Sequence, residues 1–361
     1  MSEFDFLVVG AGIYGCTFAR LAAERGKKVL LVEKRNHIGG NCYTQNVNGI
    51  HVHRYGPHVF HTNDDRIWEF ACRFTEFNHY RVYTKVRVGN DLYSFPPNMM
   101  TFHQLWGVTT PDEARSRIES DCIPCANPKN VKDYSLATFG RTIYEKFIDG
   151  YTRKQWFKDP SEVPVSVIKR IGFRFTWDDR YFEEKYEGVP VNGYDMFFQN
   201  MIDHENIKLM LNVDYLANRN ELKATKTIYS GRLDELFDFK YGPLDFISLR
   251  FEDKYLKGDF QGNAVINYPA IDVPYTRITE HKHFMFSKVD DTIITYEYPV
   301  KCDQTNIPFY PVADDKNAVI HGKYREEASK AGIVPGGRLG RHLYHNMDQV
   351  MAMAMTDVRK N

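Results

Sequence analysis

Neither sign of charge is in excess in this chain: 47 lysines and arginines are matched by 47 aspartates and glutamates over 361 residues. Without a net field, nothing in the charge balance favours a nucleic-acid or membrane-surface role, and any anionic ligand must be met by local arginines. Long apolar runs are also missing. The hydrophobic start, Phe6 to Ala11, is too short to span a bilayer and lacks the basic flank and small-residue cleavage site of a signal peptide. No membrane partner and a cytoplasmic location are therefore expected. Cysteine is sparse at 6 residues, and Cys122 and Cys125 form a C-x-x-C with neither a second pair nor a histidine at ligand spacing. Reduced thiols and no metal site are expected. Repeats, charge runs and low-complexity linkers are absent, and no spacing commends a Ser/His/Asp or Cys/His constellation.

What the chain does have begins at its first strand. Phe4 to Val9 runs into Gly10-Ala11-Gly12-Ile13-Tyr14-Gly15, and a second strand, Lys28 to Val32, ends on Glu33. Strand, glycine turn, helix, strand and terminal carboxylate arrive in the order of a dinucleotide site. Gly10 allows the tight turn, Gly12 the approach of a pyrophosphate, and Gly15 the packing of the following helix on its strand. Glu33 is placed to hold ribose hydroxyls. A further glycine pair, Gly39-Gly40, followed by Asn41, resembles FAD-binding amine oxidases and mutases more than NAD dehydrogenases.

Three textures follow along the chain. The nucleotide-binding start has an expected partner near the C-terminus, where Ala318 to Val334 leads into Gly336-Gly337-Arg338. Thr110-Pro111-Asp112-Glu113 reads as a helix cap, first-turn proline and first-turn acids. Ser135 likewise reads as a cap, preceding Leu136, Phe139, Ile143 and Phe147, spaced for one apolar helix face. Phe246–Phe251, Asn263–Tyr268 and Thr292–Tyr298 read as strands of one antiparallel sheet. The expected fold is α/β: a discontinuous Rossmann-like FAD-binding domain (1–62, 190–238 and 312–361) carrying an inserted helical bundle (98–168) and an antiparallel sheet domain (63–97, 169–189 and 239–311).

Several strings then match one family over nearly the whole length. They include His53-Arg54-Tyr55-Gly56-Pro57-His58-Val59-Phe60-His61-Thr62, Thr101-Phe102-His103-Gln104-Leu105-Trp106-Gly107, Gly150-Tyr151-Thr152-Arg153-Lys154-Gln155-Trp156 and Ile168-Lys169-Arg170-Ile171. Gln261 to Asn267, Pro274-Tyr275-Thr276-Arg277, Glu280 to Phe284, Gly336-Gly337-Arg338-Leu339 and Met347-Asp348-Gln349 complete the set. With these the chain resembles the bacterial UDP-galactopyranose mutases.

The resemblance implies interconversion of UDP-galactopyranose and UDP-galactofuranose without net redox change. Reduced FAD acts there as a nucleophile, its N5 attacking the anomeric carbon to give a flavin iminium. It implies Arg170, on a mobile loop bracketed by Pro164 and Gly172, and Arg277 as partners of the leaving diphosphate, where bidentate arginines serve better than lysines. Tyr151 and Trp156, with Phe147 one turn earlier, are implied as contacts of uridine, and Thr152, Tyr181, Asn267, Tyr310, Tyr344 and Asn346 as further substrate contacts. The cofactor set is Gly10, Gly12, Ile13, Tyr14, Gly15, Glu33, Lys34, Arg35, Gly40, Asn41, His58, Val59, Arg338, Tyr344, Met347 and Asp348, with His58 against the flavin. UDP-galactose, a reductant such as NAD(P)H or a reductase, and a homodimeric partner come with the same resemblance.

The chain departs from the family pattern at three points. Asn346 stands where an acid is usual, Ile247 where an arginine is expected, and Phe157 where glycine is usual. These changes bear on the choice of sugar nucleotide and leave a related substrate, such as UDP-N-acetylgalactosamine, in view. An FAD-dependent oxidase shares the glycine motif but has no use for the arginine, tyrosine and tryptophan strings.

Overall fold

The computed structural model describes residues 3–169, 171–303 and 305–361, which form two compact units. Unit 1 is Met1–Tyr80, Glu184–Phe246 and Pro308–Asn361; unit 2 is Arg81–Glu183 and Ile247–Ile307. The helical and sheet textures of the sequence thus share unit 2.

Unit 1 is built on a parallel sheet whose strands lie in the order Ile333–Pro335, Lys226–Tyr229, Phe6–Val9, Val29–Val32 and Ile207–Met210. Val29 to Val32 is buried at every residue, the continuous apolar run expected of a strand covered on both faces. The central strand Phe6–Val9 ends in Gly10, whose N–H donates to Val32 O at 2.7 Å, and the helix Ile13–Ala23 starts three residues later. That helix packs against Gly193–Ile202 and Met347–Lys360, so three distant stretches of chain close one Rossmann-like layer.

Unit 2 contains the helices and the second sheet. The helix Pro111–Asp121 starts at the predicted Thr110 cap, and Glu113 completes a capping box with it. The apolar stripe of the next segment, however, is not one helix capped at Ser135. Asn130 caps Val131–Thr138, Ser135 is buried within it, and Gly140–Ile143 leads into a π-turn, Tyr144–Ile148, before Asp149–Trp156. Phe139, Ile143 and Phe147 share a core as the spacing requires, but the π-turn resets the face presented by the residues after it. The sheet runs Phe246–Lys257, Asp291–Lys301, Arg277–Glu280, Val265–Asn267, Thr84–Val88 and Asp91–Phe95. It is antiparallel except at one junction, where Ile266 and Asn267 pair in parallel with Lys85 and Val86.

One carboxylate in this sheet is fully enclosed. Glu280, whose side chain is 0% exposed, accepts from Phe260 N and Gln261 N, both at 2.8 Å, and from Thr292 Oγ1 at 2.8 Å, with His283 Nε2 3.2 Å away. Burial alone pushes its pKa up, but the neighbouring His283 and the hydrogen bonds from Phe260, Gln261 and Thr292 outweigh it and hold the group at about 2, below its usual 4.5. A depressed folded pKa contributes stability that is present above pH 4.5 and lost as pH falls toward 2. This is worth about 3 kcal/mol. Thermal melts from pH 6 downward should therefore show a steeper loss for the wild type than for Glu280→Gln, and parallel curves would remove Glu280 from the account.

Candidate functional site

The glycine turn of unit 1 is closed by side chains and backbone together. Glu33 Oε2 accepts from Ala11 N at 2.8 Å and Oε1 from Arg35 N at 3.0 Å. A carboxylate offers about four lone-pair sites, so these backbone bonds leave acceptor capacity for hydroxyls. Gly39 N donates to Ala11 O at 2.7 Å, which draws the two glycine turns together; a Cβ on Gly40 would lie 3.0 Å from Gly12 Cα. The result is a narrow cradle that any side chain would fill. At its floor the helix Ile13–Ala23 begins on Gly12, which offers no side-chain cap to the first-turn N–H groups.

Around this cradle, Arg35 Nη2 donates to Asn41 Oδ1 at 3.0 Å, and its guanidinium lies 4.5 Å from the centre of the Tyr55 ring. Tyr55 in turn bonds His37 Nε2 at 2.8 Å, and His37 stacks on Tyr43. Arg338 Nη2 donates to Phe309 O at 2.7 Å, with its guanidinium over Tyr344 at 5.1 Å and Tyr310 at 5.9 Å. Arg35 Nη1 and Arg338 Nε are buried without a hydrogen-bond partner among the described residues. Orphaned buried guanidinium nitrogens beside a glycine cradle are what a dinucleotide with a diphosphate would satisfy. The residues present therefore fit FAD.

The remaining unit 1 candidates have varied surroundings. His58 Nδ1 lies 2.9 Å from Gly56 O, and Val59 is buried. Ile13 is buried, and Tyr14 donates its hydroxyl to Asp357 Oδ2 at 2.7 Å, a carboxylate that Arg341 also binds. Tyr14 thus ties the glycine helix to the last helix. Lys34 is exposed. Asn346 opens the helix Met347–Lys360, its N–H donating to Gln349 Oε1 at 3.0 Å, and Asp348 lies in the first turn. Met347 is buried with its sulfur 3.5 Å from Cys42 Sγ. Tyr310 and Tyr344 meet edge to face at 5.3 Å.

In unit 2 the structure gathers three of the sequence-derived residues. Arg277 Nε donates to Asn267 Oδ1 at 3.1 Å and Nη2 to Tyr151 Oη at 3.5 Å, while Nη1 is 3.6 Å from Glu297 Oε2. Register explains the grouping, because Asn267 and Glu297 are the direct cross-strand partners of Arg277 on either side. Glu297 is 2% exposed and its carboxylate oxygens have no hydrogen-bond donor among the described residues, so the arginine charge is its compensation. No local signal marks Glu297 in the sequence; only the strand pairing reveals it.

The other unit 2 candidates have varied surroundings. Thr152 is buried, while Trp156 and Tyr181 pack partly buried against the helical core. Phe147 is 4% exposed and meets Tyr93 edge to face, which makes it a core residue in this conformation. Arg170 lies outside the described residues. Ile247, where an arginine was expected, is buried at 6% exposure on a strand, a setting that suits its apolar side chain. Phe157 closes the helix Asp149–Trp156 with φ of 53°, the left-handed conformation for which glycine is the usual occupant. Asp259, Glu280 and His283 bring metal-ligand atoms together, but Glu280 is already occupied by backbone donors, and the Lys282 ammonium sits 2.9 Å from Asp259.

Comparison with known proteins bears on this set. Residues 146–344 match the family model described as UDP-galactopyranose mutase, and residues 8–74 match an NAD(P)-binding Rossmann-like domain. The chain is 38% identical to a probable UDP-galactopyranose mutase of Klebsiella pneumoniae, over 98% of this chain and 94% of that protein. It is 37% identical to a dTDP-fucopyranose mutase of Escherichia coli, covering 95% and 94%, and 30% identical to a UDP-galactopyranose mutase of Mycoplasma pneumoniae, covering 98% and 95%. The crystal structure of a reduced UDP-galactopyranose mutase shares the fold, with a TM-score of 0.77 at 16% identity over 99% of this chain and 93% of that one.

Proposed function

The chain belongs to the UDP-galactopyranose mutase family, and from that premise we propose that it is an isomerase interconverting UDP-galactopyranose and UDP-galactofuranose with FAD as cofactor. The observation that carries the reading is the Arg277 group: a guanidinium aligned by Asn267, Tyr151 and a buried carboxylate in a chain similar to mutases from end to end.

FAD, when bound in its reduced form, supplies the nucleophile for the anomeric carbon. The protein's part is to hold and to orient. Arg277 supplies fixed positive charge for the leaving diphosphate, with Arg170 as its proposed companion. In unit 2, Tyr151 and Trp156 offer flat surfaces and Asn267, Thr152 and Tyr181 polar contacts, so that the nucleotide sugar is oriented without added net charge; Tyr310 and Tyr344 are proposed as the substrate contacts of unit 1. In unit 1, the cradle at Gly10, Gly12 and Gly40 receives the cofactor diphosphate, Glu33 the ribose, and His58, Val59, Arg338, Met347 and Asp348 the remainder. Substrate closure over the Arg170 segment, a reductant such as NAD(P)H or a reductase, a homodimer and a cytoplasmic setting belong to the same proposal. Among the described residues, no helix is long and apolar enough to cross a membrane.

The test is chromatographic. Purified flavoprotein, half of it chemically reduced, is given UDP-galactofuranose, and the product is followed as UDP-galactopyranose. Conversion in the reduced sample alone is expected. Because a 37% identical relative is a dTDP-fucopyranose mutase, dTDP-fucose belongs in the same assay. Faster turnover of the dTDP-sugar would move the reading to that substrate, and peroxide formation with an amine would move it to an oxidase.

A further inference from the structure

Lys154 has a part in this site that its charge alone does not suggest. It lies on the helix Asp149–Trp156, one turn beyond Tyr151, and its ammonium turns away from solvent into backbone. Nζ donates to the carbonyls of Tyr268, Val273 and Tyr275, at 2.5, 2.9 and 2.8 Å. Those three residues belong to the connection between the strands Val265–Asn267 and Arg277–Glu280, whose facing ends are Asn267 and Arg277. All three ammonium protons are thus spent on one loop, and the loop's ends carry two of the residues that form the Arg277 group.

A second contact clamps the same junction. Gly150 backs onto the loop so closely that a Cβ there would stand 2.3 Å from Pro269 O and 3.6 Å from Ile271 N. No side chain fits between helix and loop. The ammonium is correspondingly desolvated: burial pushes its pKa down to about 8, with Asp272 on the loop opposing the shift.

We propose that Lys154 is a positioning residue for the nucleotide-sugar site, its ammonium and the bare backbone of Gly150 together fixing the loop at residues 268–276 so that Arg277 and Asn267 face Tyr151. The inference rests on the reading of Arg277 and Tyr151 as contacts of the nucleotide diphosphate. Without the ammonium, three carbonyls lose their donor at once, and the loop is free to relax outward with the arginine at its end. A displacement of about 1 Å at such a group is enough to weaken binding and turnover by one to two orders of magnitude.

The experiment measures UDP binding to the FAD-loaded full chain, by titration calorimetry, for the wild type and for Lys154→Met, Lys154→Arg and Gly150→Ala. Flavin absorbance and melting temperature are recorded on the same samples. Lys154→Met and Gly150→Ala are each expected to weaken UDP binding by about tenfold or more with the flavin spectrum unchanged. Lys154→Arg, which keeps charge and donors, should recover most of the loss. If Lys154→Met does not fold, Gly150→Ala decides by the same criterion. Wild-type binding with both variants within about twofold of it overturns this inference alone. A wild type that does not bind UDP overturns the substrate reading and this inference with it.

Discussion

Arg277→Ala is expected to lower kcat/KM by roughly 10- to 150-fold, the equivalent of about 1.5–3 kcal/mol for a lost charged hydrogen bond. The structure adds a second effect that a simple contact count would miss. Glu297 stays behind, 2% exposed, with the guanidinium 3.6 Å from it removed. An uncompensated buried carboxylate costs about 3–5 kcal/mol of stability, so the alanine variant should also melt earlier. Catalytic and structural losses are separated by pairing the change with Glu297→Gln: the double variant should regain most of the melting temperature and none of the turnover. Arg277→Lys keeps the charge and so the fold, but loses the geometry that meets Asn267 and Tyr151 together, and it should resemble the double variant. Normal steady-state kinetics in Arg277→Ala would defeat the assignment of this residue to the diphosphate.

Gly15→Ala is expected to abolish flavin retention. A Cβ at residue 15 would stand 1.9 Å from Gly10 O and 3.3 Å from Val8 Cγ1, contacts that cannot exist without moving the helix Ile13–Ala23 off its strand. The turn that carries Gly12 would move with it, opening the cradle against Gly40 and turning the helix N-terminus away from the diphosphate it is proposed to receive. Overpacking of this kind costs about 1–3 kcal/mol in itself. The flavin-to-protein absorbance ratio after purification reads the outcome directly. A variant that emerges fully yellow with a wild-type melting temperature would show that the glycine is not needed for packing and that the cofactor site has been misread.

How much of this was legible beforehand depends on where the signal lay. The glycine turn, Glu33 and the strands on either side of them are local, and chain order alone specified the parallel start of unit 1. The cap at Thr110 was equally local. Ser135 failed as a cap because Asn130 five residues earlier competes for the same role and starts the helix first, and because a π-turn breaks the register that the apolar spacing implied. Arg277, Asn267 and Tyr151 were named from family strings, yet their meeting depends on a strand pairing that no string encodes. Glu297 and Lys154 were passed over for the same reason: a glutamate in a β-rich run and a lysine in a helix look like surface residues until register and loop geometry bury them.

The bond from Tyr14 to Asp357 spans 343 residues of sequence. On a ribosome making roughly 5–20 residues per second, the glycine helix waits on the order of 20–70 s for the partner that secures its hydroxyl. The edge strand Ile333–Pro335 arrives almost as late. From the moment the strand Lys226–Tyr229 is made until Ile333–Pro335 follows, about 100 residues and on the order of 5–20 s later, its outer edge is unpaired. Over that window an open parallel edge is a template for the wrong partner, so this sheet is exposed to aggregation until its last strand arrives.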